Sequence, residues 1–222
     1  MNHSHNKKID IPFAPKYKEI PVLDTNFDII FPTFFASFKL DIDNDKILQE
    51  CYELKTQDPK GVKKSNIGGW QSQIYSLFDI RKDLTPNIQT LAFNAVLAAN
   101  DVCQEHDLNV FFEENGCQWW ININDEICYN AVHSHPGCQI IALYYPKVSS
   151  NGDQGNLSIL RQDGSQHCGL YEHKFEYTQY DLNAEVGTLY LLPSHVLHFV
   201  TPNRTNSERV SIAFNLSSEQ FA

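Results

Sequence analysis

Residues 191–216 read LLPSHVLHFVTPNRTNSERVSIAFNL. The last eight of them decide the fold. Arg209, Ser211, Ala213 and Asn215 alternate with Val210, Ile212, Phe214 and Leu216. In a strand, successive side chains leave on opposite faces, so this segment has one apolar face and one small or polar face. An arginine and a serine on the small-residue face, with a fully apolar face behind them, predict a polar pocket inside a barrel. The competing reading pairs Arg209 with an acidic neighbour at the surface, such as Glu185. Just upstream, His195 and His198 are three apart. A strand would turn them to opposite faces, so only one can join a cluster with other histidines.

The same period of two recurs upstream. In WWININ (119–124), Trp119, Ile121 and Ile123 alternate with Trp120, Asn122 and Asn124. QIIALYY, LSILR and GTLYLLP follow, separated by turns such as SSNGDQGN. Many short strands with Gly, Pro and Asn turns point to an antiparallel sandwich or barrel. The N-terminal half reads differently. DNDKILQECYELKT (43–56) is predicted to be a helix capped by Asp43, with Ile47, Leu48, Cys51 and Leu54 on one face. A second helix is predicted from Thr85 as N-cap and Pro86 at its first position, with Ile88, Leu91, Ala95, Ala99 and Val102 as the buried stripe. Residues 58–69 read as a loop. The expected architecture is an α+β fold in one domain over 1–222: a surface arm at 1–20, a mainly helical buttress with leading strands at 21–116, and a strand-rich core at 117–217.

Composition narrows the function. Seventeen basic residues against 27 acidic ones leave a net charge of −10. The lysines are scattered, so no basic patch of the kind that neutralises phosphates is present, and neither nucleic acid nor an anionic membrane is expected as a partner. The N-terminus lacks an apolar leader, and no apolar run is long enough to span a bilayer. Six cysteines show no C-x-x-C spacing. They read as buried free thiols in a reducing, cytoplasmic setting.

The chemistry centres on YNAVHSHPGC (129–138). In a strand, His133 and His135 project side by side, with Pro136-Gly137 ending the strand behind them. Two imidazoles in that geometry can share one metal. H-x-H alone is a weak signal, and His3 and His5 repeat it in a polar segment with no reason to be ordered. Asn122 and Tyr145 sit on strands flanking the pair, where either could bond a small anion. Asn130 could orient a histidine, and 161–180 reads as a loop over the barrel mouth.

H-x-H, a distal histidine and R-x-S together resemble the Fe(II)- and 2-oxoglutarate-dependent dioxygenases. More closely, WWIN…YNAVHSHPGCQIIALYYP, GTLYLLPSHVLHFVTPN and ERVSIAFNL are similar to the 2-oxoglutarate–iron oxygenases of marine bacteria and their phages. The resemblance covers about residues 117–217. The N-terminal half matches only through FPTFF and GGWQS. It implies a double-stranded β-helix, a jelly-roll or cupin-like core, buttressed by the N-terminal helices. It implies Fe(II) held by His133, His135 and His198, with His135 where an aspartate or glutamate usually stands. It also implies that Arg209 and Ser211 grip the far carboxylate of 2-oxoglutarate, with Asn122 and Tyr145 beside it. The implied reaction uses dioxygen to hydroxylate an unactivated C–H of a small-molecule or peptide substrate, releasing succinate and CO2, in the cytoplasm of a bacterial or host cell. An edge strand or the N-terminal arm could join two copies as a homodimer.

Two alternatives stay open: a three-histidine cupin-type metalloprotein that does not use 2-oxoglutarate, and a non-catalytic structural jelly roll. Three imidazoles suit zinc, copper and nickel as well as iron. Because ligation needs neutral imidazole, metal is expected to leave below roughly pH 6, near the reference histidine pKa of about 6.5.

Overall fold

The computed structural model describes residues 33–77, 84–149, 153–161 and 179–218. All of them fall in one compact unit, Thr33–Ala222. The arm at 1–20, with His3 and His5, lies outside the described residues, as does most of the loop at 161–180.

Two antiparallel sheets face each other. The larger is built on three eight-residue or near eight-residue strands: β5 (Cys117–Asn124), β7 (Ile140–Lys147) and β12 (Arg209–Leu216). Strand β12 lies between the other two and pairs with both along most of its length. Strands β10 (Thr188–Pro193) and β1 (Ala36–Lys39) extend the sheet on one side, and the two-residue strands β3 (Trp70–Gln71) and β4 (Tyr75–Ser76) on the other. The smaller sheet runs β2 (Asn66–Ile67), β6 (Tyr129–His133), β11 (His198–Val200), β8 (Leu157–Leu160) and β9 (Gln179–Leu182). These two sheets are the double-stranded β-helix. The loop expected at 58–69 thus contains a strand, and the loop expected at 161–180 ends in one.

The alternation in β12 divides its side chains between two cores. Val210, Ile212, Phe214 and Leu216 pack with Trp119, Ile121 and Ile123 against the helices. Ala213 joins Leu143, Tyr145, Leu157, Leu192 and Val200 between the sheets. Helix α1 (Asn44–Gln57) is capped by Asp43, whose Oδ1 accepts from the Lys46 amide at 3.2 Å. It buries Ile47, Cys51 and Leu54. Helix α2 (Pro86–Glu105) starts after Thr85, as its sequence predicts. Its first amides are received from a distance: the buried Glu50 of α1 accepts from the backbone of Asn87 and of Ile88, both at 2.9 Å. A carboxylate at a helix N-terminus satisfies orphan donors and meets the positive end of the dipole. No local pattern announces it, because the cap lies 37 residues away.

Candidate metal and cosubstrate site

His133 ends β6 and His198 begins β11, and the two are cross-strand partners. The register shifts between them and the next pair, Val200 with Asn130. Two residues of β6, Ala131 and Val132, therefore oppose the single residue Phe199 of β11. This bulge resets the alternation, so that Asn130 and His133, of opposite parity, both face the cavity between the sheets. His135 lies beyond the strand, which ends two residues earlier than the sequence suggests. It reaches the same cavity from the turn, its backbone N–H donating to the carbonyl of Ser194 at 2.9 Å. His195, three residues before His198, does not line the cavity.

The three rings converge. Their centroids lie 4.4 Å (His133–His198), 5.1 Å (His133–His135) and 5.1 Å (His135–His198) apart. One ring nitrogen of each falls within 4.8 Å of the others. In every case Nδ1 is already bonded: to the carbonyl of Ala131 at 2.6 Å, of Val196 at 2.9 Å, and to Oδ1 of Asn215 at 2.7 Å for His135. The free nitrogen is thus Nε2, and that of His135 is buried without a partner. Three inward lone pairs in a closed pocket are the donor set a transition-metal ion requires. Burial drives their protonation down, below the usual range for His133, to about 4 for His135 and to about 3 for His198, where the neighbouring rings add to the effect. All three are neutral at physiological pH. In the metal-free protein, burial thus favours the neutral form that ligation needs over a wider acid range than a free imidazole would allow.

The rest of the wall comes from the inward faces of the larger sheet: Trp120 and Asn122 of β5, Leu143 and Tyr145 of β7, Ser211 and Ala213 of β12. Asn122 stands opposite Ser211 in the ladder. Its Oδ1 is buried without a partner. Arg209 is buried beside this wall, with 2% of its surface exposed. Nη1 donates to the carbonyl of Gly155 at 2.9 Å, and Nε has no partner. Among the described residues, the Tyr145 hydroxyl is the ionisable group that acts on the guanidinium. The surface pair with Glu185 does not form. A buried guanidinium without a carboxylate is costly unless an anion completes it. Asn130 hydrogen-bonds to no histidine among the described residues. Its amide donates to Ser65 Oγ at 3.3 Å and accepts from Asn124 at 3.1 Å. The side chain that does hold a histidine is Asn215, which the alternation placed on the right face without indicating its task.

A wider hollow of about 500 Å3 lies between α2 and residues 111–115. Its walls include Phe93, Val96, Leu97 and Phe111 and contain no histidine or cysteine, so it offers no comparable chemistry.

Residues 118–215 match the family model described as "Putative 2OG-Fe(II) oxygenase". The match covers the strand-rich part of this chain, a little under half of its length. No curated protein sequence matches the chain. Among solved structures, a prolyl-4-hydroxylase of Pseudomonas putida superposes with a TM-score of 0.60 at 14% identity, over 83% of this chain and 92% of that one. A prolyl hydroxylase of Trichoplax adhaerens, solved with a hypoxia-inducible-factor peptide fragment, gives 0.59 at 17% identity over 84% of each chain. HygX of Streptomyces hygroscopicus, holding nickel and 2-oxoglutarate, gives 0.53 at 15% identity over 84% of this chain and 83% of that one. These likenesses establish the jelly-roll fold. Three neutral imidazoles are a donor set that suits Fe(II) among other transition metals, with His135 where the family resemblance expects a carboxylate, and a buried guanidinium near a polar wall suits an anion such as 2-oxoglutarate.

Proposed function

We propose that this oxygenase hydroxylates an unactivated C–H of a peptide or small-molecule substrate, with Fe(II) held by His133, His135 and His198 and 2-oxoglutarate held by Arg209, Ser211, Asn122 and Tyr145. What supports this reading is that the three imidazoles converge on the inter-sheet cavity, and that the buried Arg209, whose Nε has no partner among the described residues, alternates on β12 with the same parity as Ser211, which lines that cavity. Fe(II) with 2-oxoglutarate and dioxygen supplies the oxidising power, with succinate and CO2 as by-products.

The protein's own groups do the positioning. The three imidazoles stay neutral because burial lowers their proton affinity. With no carboxylate among them, they leave the full divalent charge to attract an anionic cosubstrate. Arg209 supplies a planar, permanently charged donor set suited to a carboxylate. Tyr145 and Ser211 offer hydroxyl donors to the same anion, and burial holds the Tyr145 phenol protonated. Leu143, Leu157, Val200 and Ala213 keep the surroundings apolar. A dry wall strengthens the charge–charge contacts inside it.

The five described cysteines, Cys51, Cys103, Cys117, Cys128 and Cys138, are free thiols, which supports a reducing cytoplasmic setting. No helix among the described residues is long and apolar enough to cross a membrane.

Anaerobic addition of Fe(II) and then 2-oxoglutarate tests the reading. A new visible charge-transfer band is expected, and succinate on admission of air. Metal binding without the band would instead favour a three-histidine centre of another kind, and no metal binding would favour a structural jelly roll.

A further inference from the structure

The three histidines are not held alike. His133 and His198 each bond the carbonyl two residues back in their own segment, Ala131 and Val196. Such a contact comes with the local chain path and survives any side-chain change nearby. His135 stands in the turn after β6, outside any ladder, and its Nδ1 meets a side chain 80 residues away. That side chain, Asn215, belongs to β12, where it is paired on both sides, with Gln118 of β5 and Ile141 of β7. Trp120, also on β5, stacks on the His135 ring at 5.5 Å and 22°. The least anchored histidine is therefore tied to the most firmly paired strand of the molecule.

We infer that Asn215 is the positioning residue of the cluster: its Oδ1 accepts from His135 Nδ1–H and so fixes the tautomer that turns the Nε2 lone pair toward His133 and His198. The inference rests on the reading of these histidines as metal ligands. A histidine in this place needs such a partner, whereas a carboxylate would not. An imidazole has one lone pair, on either of two nitrogens. Unless something accepts from Nδ1, the proton can sit on Nε2 and block the inward position. Partners of this kind orient a ligand ring and raise its affinity for metal, and their loss typically costs about 10- to 100-fold in binding. Asn215 also shares its strand face with Arg209 and Ser211. One strand then sets the position of both the anion donors and the third imidazole.

The test compares Asn215→Leu with Asn215→Asp, which keeps an acceptor in the same place. In the metal-free protein, nitrogen NMR of the ring should report His135 as the Nδ1–H tautomer in the wild type and in Asn215→Asp. In Asn215→Leu it should report a mixture containing Nε2–H. Co(II) alone, followed by its visible absorption, should bind about 10- to 100-fold more weakly to Asn215→Leu and close to normally to Asn215→Asp. Thermal melting of Asn215→Leu should match the wild type, which separates positioning from folding. An Asn215→Leu protein with the wild-type tautomer and wild-type Co(II) affinity overturns the inference. A wild type that binds no Co(II) overturns the metal reading instead, while the tautomer still decides the Asn215 contact.

Discussion

The two sheets of this jelly roll are built to different standards. The larger has long strands, β5, β7 and β12, largely buried on both faces; β12 runs in unbroken register with β5 and shifts register against β7 only near its start, between Val210 and Ile212. The smaller has strands of two to five residues, one of them bulged, and it carries His133 and His198. The larger sheet holds Arg209, Ser211 and Asn122 in a rigid frame that α1 and α2 back with a dense apolar core. The smaller sheet spends its regularity on aiming imidazoles. The main apolar core thus lies on the helix side of the larger sheet, and the two strand-borne imidazoles belong to the smaller one, so substitutions in that core should separate from substitutions at those imidazoles.

The sharpest way to break that division is in the large-sheet core. Phe214→Ala empties a fully buried site in β12. It should cost about 3–5 kcal/mol in denaturant unfolding while the folded fraction binds Co(II) as before. Acid should act next. Above pH 6.5 both folded and unfolded chains hold neutral histidines, and these contribute nothing. As pH falls below 6.5 the unfolded chain takes up protons that His135 and His198 refuse until about pH 4 and 3. Each histidine should then cost up to about 1.4 kcal/mol per pH unit across that window. A metal-free double variant, His135→Asn with His198→Asn, should show a flatter stability profile between pH 6.5 and 4. Glu50→Ala, which strands the buried amide of Ile88 and the part-buried amide of Asn87 at the start of α2, should cost roughly 1–3 kcal/mol, measured the same way, with no change in metal affinity. Smallest for folding should be His133→Ala, on the half-exposed strand β6. It should move the metal-free melting point little, yet weaken Co(II) binding by more than 100-fold in a direct titration.

The larger sheet is also the part that the chain spells out. The alternation at 119–124 and 209–216 is a local signal, strong enough to give strand, facing and the membership of two cores. The convergence of His133 and His198 could be anticipated from their order in the chain. Other features depend on partners far away and leave no trace in a window of a few residues. The bulge of β6 exists only relative to β11. Strands β2, β3 and β4 are two residues long because the neighbours they pair with define them. Glu50 looks like an ordinary surface-helix glutamate until α2 is packed on it. Asn130 and Asn215 are both inward amides, and nothing local says which one meets an imidazole.

Arg209 has the furthest consequence. Among the described residues, this buried positive charge meets a neutral carbonyl, that of Gly155, and no carboxylate. A dicarboxylate that completes this group binds the native chain and not the unfolded one, so it adds RT ln(1 + [L]/Kd) to the free energy of unfolding. On the proposed role of Arg209 as the anchor of 2-oxoglutarate, the resistance of this protein to unfolding and proteolysis should then rise and fall with the 2-oxoglutarate level around it.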